Sequence, residues 1–155
     1  MSLQADMVDI SDTRGCHCLA ARRRARAITR LYEEQLRPFG LKATQFSVLA
    51  ALAQVKSNTV GALAEFLGVE RTTLTRSTQL LEGHGWISSA KTDDGRERLL
   101  RLTPSGRERL QLALPAWGQV QRRLNETPEL VDRPTQVLTE LSNSTVGTSS
   151  AATTA

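Results

Sequence analysis

The segment from residue 59 to residue 103 constrains the fold more than any other part of the chain. Two helical patterns joined by a glycine are followed there by two strand patterns. The first helical pattern has apolar residues at the i, i+3, i+4 and i+7 spacing of one helix face, namely Val60, Leu63, Ala64 and Leu67. Thr59 is suited to cap its N-terminus, and Gly68 to end it in a left-handed conformation. The sequence therefore predicts a helix-turn-helix, with its second helix at about residues 71–82.

The second helix of this pair has two different faces. Its inward stripe is thin and consists of Leu74, Thr78 and Leu81. A second stripe contains only hydrogen-bonding side chains and no acid: Thr72, Thr75, Arg76 and Gln79. Arg and Gln read base edges in the major groove of duplex DNA, and Thr contacts phosphates or thymine methyl groups. The pattern indicates a helix that reads double-stranded DNA.

A basic hairpin is predicted after these helices. Residues 86–92 and 96–103 have the pattern of its strands, and Asp93-Asp94-Gly95 between them is a tight-turn signal. Three basic residues surround the tip: Lys91, Arg96 and Arg98. A hairpin in this place is a wing, and a basic wing tip can enter a minor groove. The alternative is a solvated hairpin whose charges only keep a sheet edge soluble.

Helical patterns flank this segment at about residues 16–37, 44–54 and 104–141, and Thr127-Pro128 divides the last of these into a long helix and a final shorter one. Thr103-Pro104 is a strong start signal for the long C-terminal pattern, and Pro115 within it predicts a kink. The apolar stripes of the first and last patterns are too long to be buried against a small winged domain, so we expect a two-fold homodimer. The residues expected at its interface are Leu31, Leu114, Trp117, Leu124 and Leu138. Such a dimer reads a palindromic site.

The predicted fold class is therefore mainly α with a small β-hairpin, in one domain. A winged helix-turn-helix at about residues 44–103 lies between dimerisation helices, and residues 142–155, which are mostly small and polar, predict a disordered tail. In the 44–54 helix we expect four residues to face the core: Phe46, Leu49, Ala50 and Ala53.

Composition narrows the function. The 155 residues, 39% hydrophobic and 23% charged, fit a soluble globular domain, and arginine supplies most of the 20 basic residues, which suits phosphate contacts. Aromatic residues make up only 4%, which argues against single-strand binding by base stacking. The chain has no apolar run of bilayer length and no signal-peptide pattern, so we expect a cytoplasmic protein without a membrane partner. Two histidines and the lack of a Gly-rich phosphate loop or nucleophile elbow argue against an enzyme and against a bound cofactor.

The Cys16-His17-Cys18 motif opens the first helix. Our preferred interpretation is that both cysteines are packing residues near the dimer interface, since free cysteine behaves as a small hydrophobe. A redox switch through disulfide formation is the alternative. Metal binding is less favoured, because tetrahedral zinc needs four ligands and the chain has no second Cys/His cluster.

This order of elements resembles the multiple-antibiotic-resistance regulator (MarR) family of bacterial transcription factors over about residues 16–141. Three segments carry the resemblance: Leu63 to Val69 leading into Arg71 to Arg76, Asp94-Gly95-Arg96, and Leu100 to Gly106. The resemblance implies that Asp94 positions Arg96 in a minor groove. It implies DNA contacts from the recognition helix as well, for which we select Arg71, Thr72, Thr73, Thr75, Arg76 and Gln79. The chain departs from the family at Gly95, where many relatives carry Arg or Pro, and at Pro134 in the last helix.

The resemblance also implies repression of nearby genes and release of DNA by a small aromatic or phenolic effector. We expect such an effector to bind in a cleft where the first and the long helix meet the winged domain. The residues expected to line it are Ala20, Arg24, Ile28, Phe46 and Leu110. The rival interpretations are release by oxidation of Cys16 and Cys18 and, less favoured, a winged helix that binds protein, against which the acid-free stripe argues.

Overall fold

The computed structural model describes residues 15–55, 58–93 and 95–127. Residues 29–126 form one compact unit, and the described residues 15–28 and 127 are assigned to another. The elements are α1 (His17–Leu36), α2 (Ala43–Gln54), β1 (Asn58–Thr59), α3 (Val60–Leu67), α4 (Arg71–Gly83), β2 (Ile87–Lys91), β3 (Arg98–Leu102) and α5 (Pro104–Glu126). The predicted helix after residue 127 and the predicted tail at 142–155 lie outside the described residues.

The helix-turn-helix of α3 and α4 is confirmed with the predicted end signals. Thr59 caps α3, because its Oγ1 accepts a hydrogen bond of 3.2 Å from the backbone N–H of Ala62. Gly68 ends α3 in a left-handed conformation with φ 63°, a backbone state that glycine adopts without steric cost. The chain then turns into α4, which runs one residue past its predicted end.

The wing belongs to a three-stranded antiparallel sheet rather than to an isolated hairpin. The strand order is β1-β3-β2, and β2 pairs with β3 from Ile87 opposite Leu102 to Lys91 opposite Arg98. Asn58 and Thr59 form β1, which the sequence did not predict, and pair with Leu100 and Leu99 of β3. Two residues are too few to show a period of alternating side chains, so this strand left no signal in the sequence.

Helix α2 lies at the centre of the core. Phe46 and Leu49 are buried as expected, while Ala50 and Ala53 are only partly buried. The structure buries four further α2 residues that the one-sided pattern did not single out: Gln45, Val48, Ala51 and Leu52. Packing partners come from every neighbouring element and include Leu36, Leu63, Leu74, Leu81, Leu100 and Leu110. A helix covered on several sides loses the amphipathic pattern on which sequence reasoning depends.

The start of α5 is docked closely onto the loop that follows α4. Thr103 caps α5 by accepting a hydrogen bond of 3.1 Å from the N–H of Gly106. The hydroxyls of Thr103 and Ser105 donate to the carbonyl of Gly85, and the N–H of Thr103 donates to the carbonyl of Trp86. A Cβ atom added to Gly106 would lie 1.9 Å from that Trp86 oxygen, so this approach requires glycine. From there α5 continues as one helix through Pro115.

The indole ring of Trp86 is covered from more than one element. The His84 ring stacks on it with the centroids 4.5 Å apart, and the guanidinium carbon of Arg109 lies 4.8 Å from its centroid. The side chain of Arg109 also donates a hydrogen bond of 3.4 Å to the carbonyl of Phe39. Trp86 therefore joins the loop after α4 to α5 and, through Arg109, to the 3-10 helix Arg37–Phe39.

The close approach at Gly106 predicts a large loss of stability for Gly106→Ala. The added methyl group has to displace backbone atoms of Trp86, so we expect the free energy of unfolding to fall by at least about 2 kcal/mol. Gly118→Ala, in the middle of the same helix, is the matched control. Its Cβ would meet only the end of the Arg122 side chain, at 3.6 Å, so we expect a gain of up to about 1 kcal/mol from helix propensity. Urea unfolding at one fixed protein concentration measures both, and equal stabilities would contradict the assignment.

Candidate nucleic-acid interface

The outward side chains of α4 form one continuous hydrogen-bonding surface. Leu74, Thr78 and Leu81 are buried beneath it and hold the helix on the core. The side chains that border a shallow open depression on the outer surface are those of Arg71, Thr72, Thr75, Arg76 and Gln79. Thr73, also expected to contact DNA, is exposed but does not border this depression. The surface presents donors and acceptors without a carboxylate, which matches the requirement of a major-groove reading face.

The Thr75 hydroxyl is partly engaged within the helix. It donates a hydrogen bond of 2.8 Å to the carbonyl of Arg71, while Thr78 in turn donates to the carbonyl of Thr75 at 2.9 Å. The hydroxyl proton of Thr75 is therefore used by the backbone, and its oxygen remains able to accept a hydrogen bond from a base. Arg76 and Gln79, which are exposed, supply the donors of this face.

The wing tip is a longer loop than the sequence predicted. Strand β2 ends at Lys91 and β3 begins at Arg98, so Arg96 belongs to the tip instead of the strand. The N–H of Thr92 donates to the carbonyl of Glu97, and the N–H of Gly95 donates to the carbonyl of Thr92 with φ 68° at Gly95. This turn needs a residue that tolerates positive φ, which gives the departure at Gly95 a structural reason. Arg96 and Lys91 are exposed, and Asp94 lies outside the described residues.

Arg98 has an internal partner that the sequence did not reveal. Its Nη2 atom lies 3.0 Å from each carboxylate oxygen of Glu82 and also donates to the hydroxyl of Ser89. Ser89 itself donates a hydrogen bond of 2.5 Å to Glu82. The DNA contact expected of Arg98 stays a prediction, and a phosphate would have to compete there with a carboxylate that already neutralises this guanidinium.

A second ion pair joins the opposite end of α4 to the wing. Arg71 Nη2 lies 3.8 Å from Glu97 Oε1, with both side chains well exposed. The roles of Glu82 and Glu97 as partners of arginine were not predicted from the sequence, because the signal for DNA binding in this segment consists of cations. One signal was present: Glu82 is the single acidic residue of α4.

The residues expected in the effector cleft are divided between the two units. Phe46 and Leu110 are buried in the core of the unit that comprises residues 29–126. Ala20, Arg24 and Ile28 belong to the other unit. The cleft thus stays a prediction.

The expected dimer-interface residues differ in how much of their surface is available. Leu114 is exposed, Leu31 and Leu124 are partly buried, and Leu138 lies outside the described residues. Trp117, expected as the main interface residue, is partly buried and stacks on Phe46 with the ring centroids 5.9 Å apart. Part of its ring surface is therefore already used within the chain.

One polar contact links α1 to α5 within the larger unit. The side-chain amide of Gln121 donates a hydrogen bond of 2.5 Å to the hydroxyl of Tyr32. Burial raises the pKa of Tyr32, and the hydrogen bond from Gln121 opposes that shift in part. The phenol is neutral at physiological pH, so this contact adds no charge to the helix pair.

Cys16 and Cys18 are both free and exposed in the single chain, and their expected packing near a dimer interface stays a prediction. Cys16 precedes α1 and Cys18 lies in its first turn, where no described element covers them. Among the described residues, no group of three or more His, Cys, Asp or Glu side chains could hold a metal ion. None of the described helices is long and apolar enough to cross a membrane.

Comparison with known proteins agrees with this architecture. Residues 41–97 match the model of the MarR family. An uncharacterised HTH-type transcriptional regulator of Bacillus subtilis, YwoH, is 37% identical over 87 residues, which are 56% of this chain and 64% of that protein. The chain thus spans less than two thirds of the length of this curated relative.

Solved structures extend the likeness over most of the chain. The Mycobacterium tuberculosis transcriptional regulator MosR, solved in complex with DNA, is 38% identical over 83% of this chain and 92% of that one, with a TM-score of 0.65. The oxidised form of Escherichia coli MarR is 25% identical over 84% of this chain and 93% of that one, with a TM-score of 0.60. The chain belongs to the MarR family, and its fold is the winged helix-turn-helix of that family.

Proposed function

We propose that this protein is a transcriptional regulator that binds double-stranded DNA in a sequence-specific manner. The observation that carries the proposal is the acid-free face of α4, which presents Arg76 and Gln79 outward above a buried apolar stripe. The MosR structure supports it, since that relative is solved with DNA.

The two parts of the interface have separate tasks in this proposal. Helix α4 enters the major groove, where a guanidinium such as that of Arg76 binds the O6 and N7 acceptors of guanine and an amide such as that of Gln79 pairs with adenine. Arg96, at the wing tip, enters the adjacent minor groove, where a narrow groove attracts the cation. Arg71 lies at the N-terminus of α4, where backbone N–H groups also favour a phosphate.

We further propose that the protein acts as a homodimer on a pseudo-palindromic operator and represses transcription by occupying it. Support comes from apolar side chains of α5 that are exposed among the described residues, of which Leu114 is 43% exposed. A two-fold dimer presents its two α4 helices to successive major grooves, about one helical turn apart.

Two kinds of signal are proposed for release from DNA. A small aromatic acid would act by favouring a dimer whose α4 helices are wrongly spaced, which requires different affinities for the two dimer states. Oxidation of Cys16 and Cys18 is the second candidate, and the exposure of both thiols favours it. The oxidised form of the related E. coli MarR supports the second candidate as well.

The first prediction is that selection from random duplexes yields an inverted repeat with half-sites about 10 bp apart. The duplex must be selected by the full chain, whose mass in solution is checked by sedimentation. Selected sequences without an inverted repeat, or a stable folded monomer at micromolar concentration, would contradict the dimeric arrangement. No binding to any duplex would favour the winged helix that binds protein.

The second prediction separates Arg76 from Arg96. Arg76→Ala should cost about 1–3 kcal/mol of binding free energy and relax the preference at one position of each half-site. Arg96→Ala should weaken binding and flatten its salt dependence, while the major-groove preference is retained. Titrations of wild type and both variants at matched salt measure this. Identical base preferences and identical salt slopes in all three proteins would refute the groove assignments.

The third prediction concerns release. Peroxide and salicylate-like acids are titrated separately into the preformed DNA complex, with the wild type and with a Cys16→Ser, Cys18→Ser variant. Release by peroxide that is lost in the variant identifies the thiols as the sensor. Release by the acids in both proteins identifies a pocket. If neither treatment releases DNA from either protein, both signals are excluded.

A further inference from the structure

The recognition helix α4 is joined to the wing at its C-terminal end by a three-residue cluster. Glu82 on α4 accepts hydrogen bonds from Ser89 on β2 and from Arg98 on β3, so one carboxylate holds both long strands. We call these three residues the wing clamp. At the N-terminal end of α4, Arg71 and Glu97 lie 3.8 Å apart and make a weaker second connection.

We propose that Glu82 is a positioning residue for DNA recognition, which fixes the wing beside α4 through Ser89 and Arg98. The major-groove contacts of α4 and the minor-groove contact of the wing tip then form together in each half-site. This inference rests on the proposed function of the chain as a DNA-binding regulator. It assigns Arg98 to holding the wing in place of contacting DNA.

The wing clamp acts on the part of the wing that the core does not hold. Near the base of the sheet, Ile87 and Leu100 are buried and β1 pairs with β3. Towards the tip, Ala90 and Lys91 on β2 and Arg98 on β3 are all exposed. Besides the ladder between the strands, the side chains of Ser89, Arg98 and Glu97 connect this half to α4. The wing clamp supplies such a contact next to the tip that carries Arg96.

The wing clamp contributes little to the folding stability of the protein. The side chains of Arg98 and Glu82 are 51% and 25% exposed. Ion pairs with that much access to water contribute at most about 1 kcal/mol to folding, because solvent screens the attraction and ordering the side chains costs entropy. The geometry is nevertheless well defined, since Glu82 binds two residues on different strands. The main effect of such a contact is to favour one position of the wing relative to α4, and its effect on folding stability is small.

Because Glu82 is negatively charged, the positioning role and simple electrostatics predict opposite effects of its replacement. Glu82→Gln removes a negative charge from a DNA-binding surface, so simple electrostatics predicts tighter binding to any duplex. The positioning role predicts weaker discrimination instead. We therefore expect the ratio of specific to nonspecific affinity to fall by about 10-fold in Glu82→Gln, a size typical for coupled contacts, while nonspecific affinity stays equal or rises.

The experiment compares Glu82→Gln with Glu108→Gln, which removes the same charge from an exposed position on α5. Both are titrated with the selected operator and with a scrambled duplex at several salt concentrations. The charge-exchanged double variant Glu82→Arg, Arg98→Glu retains an ion pair between α4 and β3 and should recover most of the lost discrimination. Equal ratios in Glu82→Gln and Glu108→Gln would overturn the inference.

A measurement without DNA keeps the two proposals apart. Hydrogen exchange of the amides in residues 87–102 should accelerate in Glu82→Gln, while that of α2 and α5 stays as in wild type, because only the contact that holds the wing loses its ion pair. Unchanged exchange in the wing contradicts the clamp whatever DNA does. Faster exchange with an unchanged specificity ratio contradicts the positioning role. A wild type that does not distinguish operator from scrambled duplex overturns the proposed function, and with it the role assigned to Glu82.

Discussion

The contact between Trp86 and the first turn of α5 determines how the other elements of the DNA-binding segment are arranged. The carbonyl of Trp86 accepts a hydrogen bond from Thr103 and lies so close to Gly106 that only a residue without a side chain fits. Its ring lies against His84 and Arg109. Because Trp86 stands between α4 and β2, this one contact relates the recognition helix, the wing and the long C-terminal helix to one another. The Thr-Pro-Ser-Gly sequence that starts α5 is thus a docking element as well as a helix start.

The features of this fold that were predicted from the sequence depend on residues that are close together along the chain. Thr59 and Gly68 act on their immediate neighbours, and the buried stripe of α4 follows from a repeat within a single helix, so these features could be read from local patterns. Pairing of β1 with β3 depends on residues about 40 positions apart and on only two pairs, which no local pattern records. Burial of Val48 and Leu52 on several sides of α2 likewise depends on which elements assemble around that helix.

In the candidate DNA interface, too, the features with short-range causes were predicted and those with long-range causes were not. Exposed positions such as Arg76 and Gln79 could be selected because helical spacing alone sets them opposite the buried stripe. The pairing of Arg98 could not be predicted, because its partner Glu82 lies 16 positions away on another element. Residue type predicts that an arginine contacts something negative, but only the folded geometry decides whether this is a phosphate or a carboxylate of the same chain.

Helix α4 uses different residues for its two faces. One set packs on the core, and the other faces outward from the same helical turns. Leu74, Thr78 and Leu81 hold the helix, while Thr72, Arg76 and Gln79 contribute little to the core. Substitution of an exposed helix residue usually changes folding free energy by no more than about 0.5 kcal/mol. The residues proposed to contact DNA can therefore be exchanged one at a time, without first accumulating spare stability. The geometry of this one helix thus allows its outward face to change while the fold stays constant.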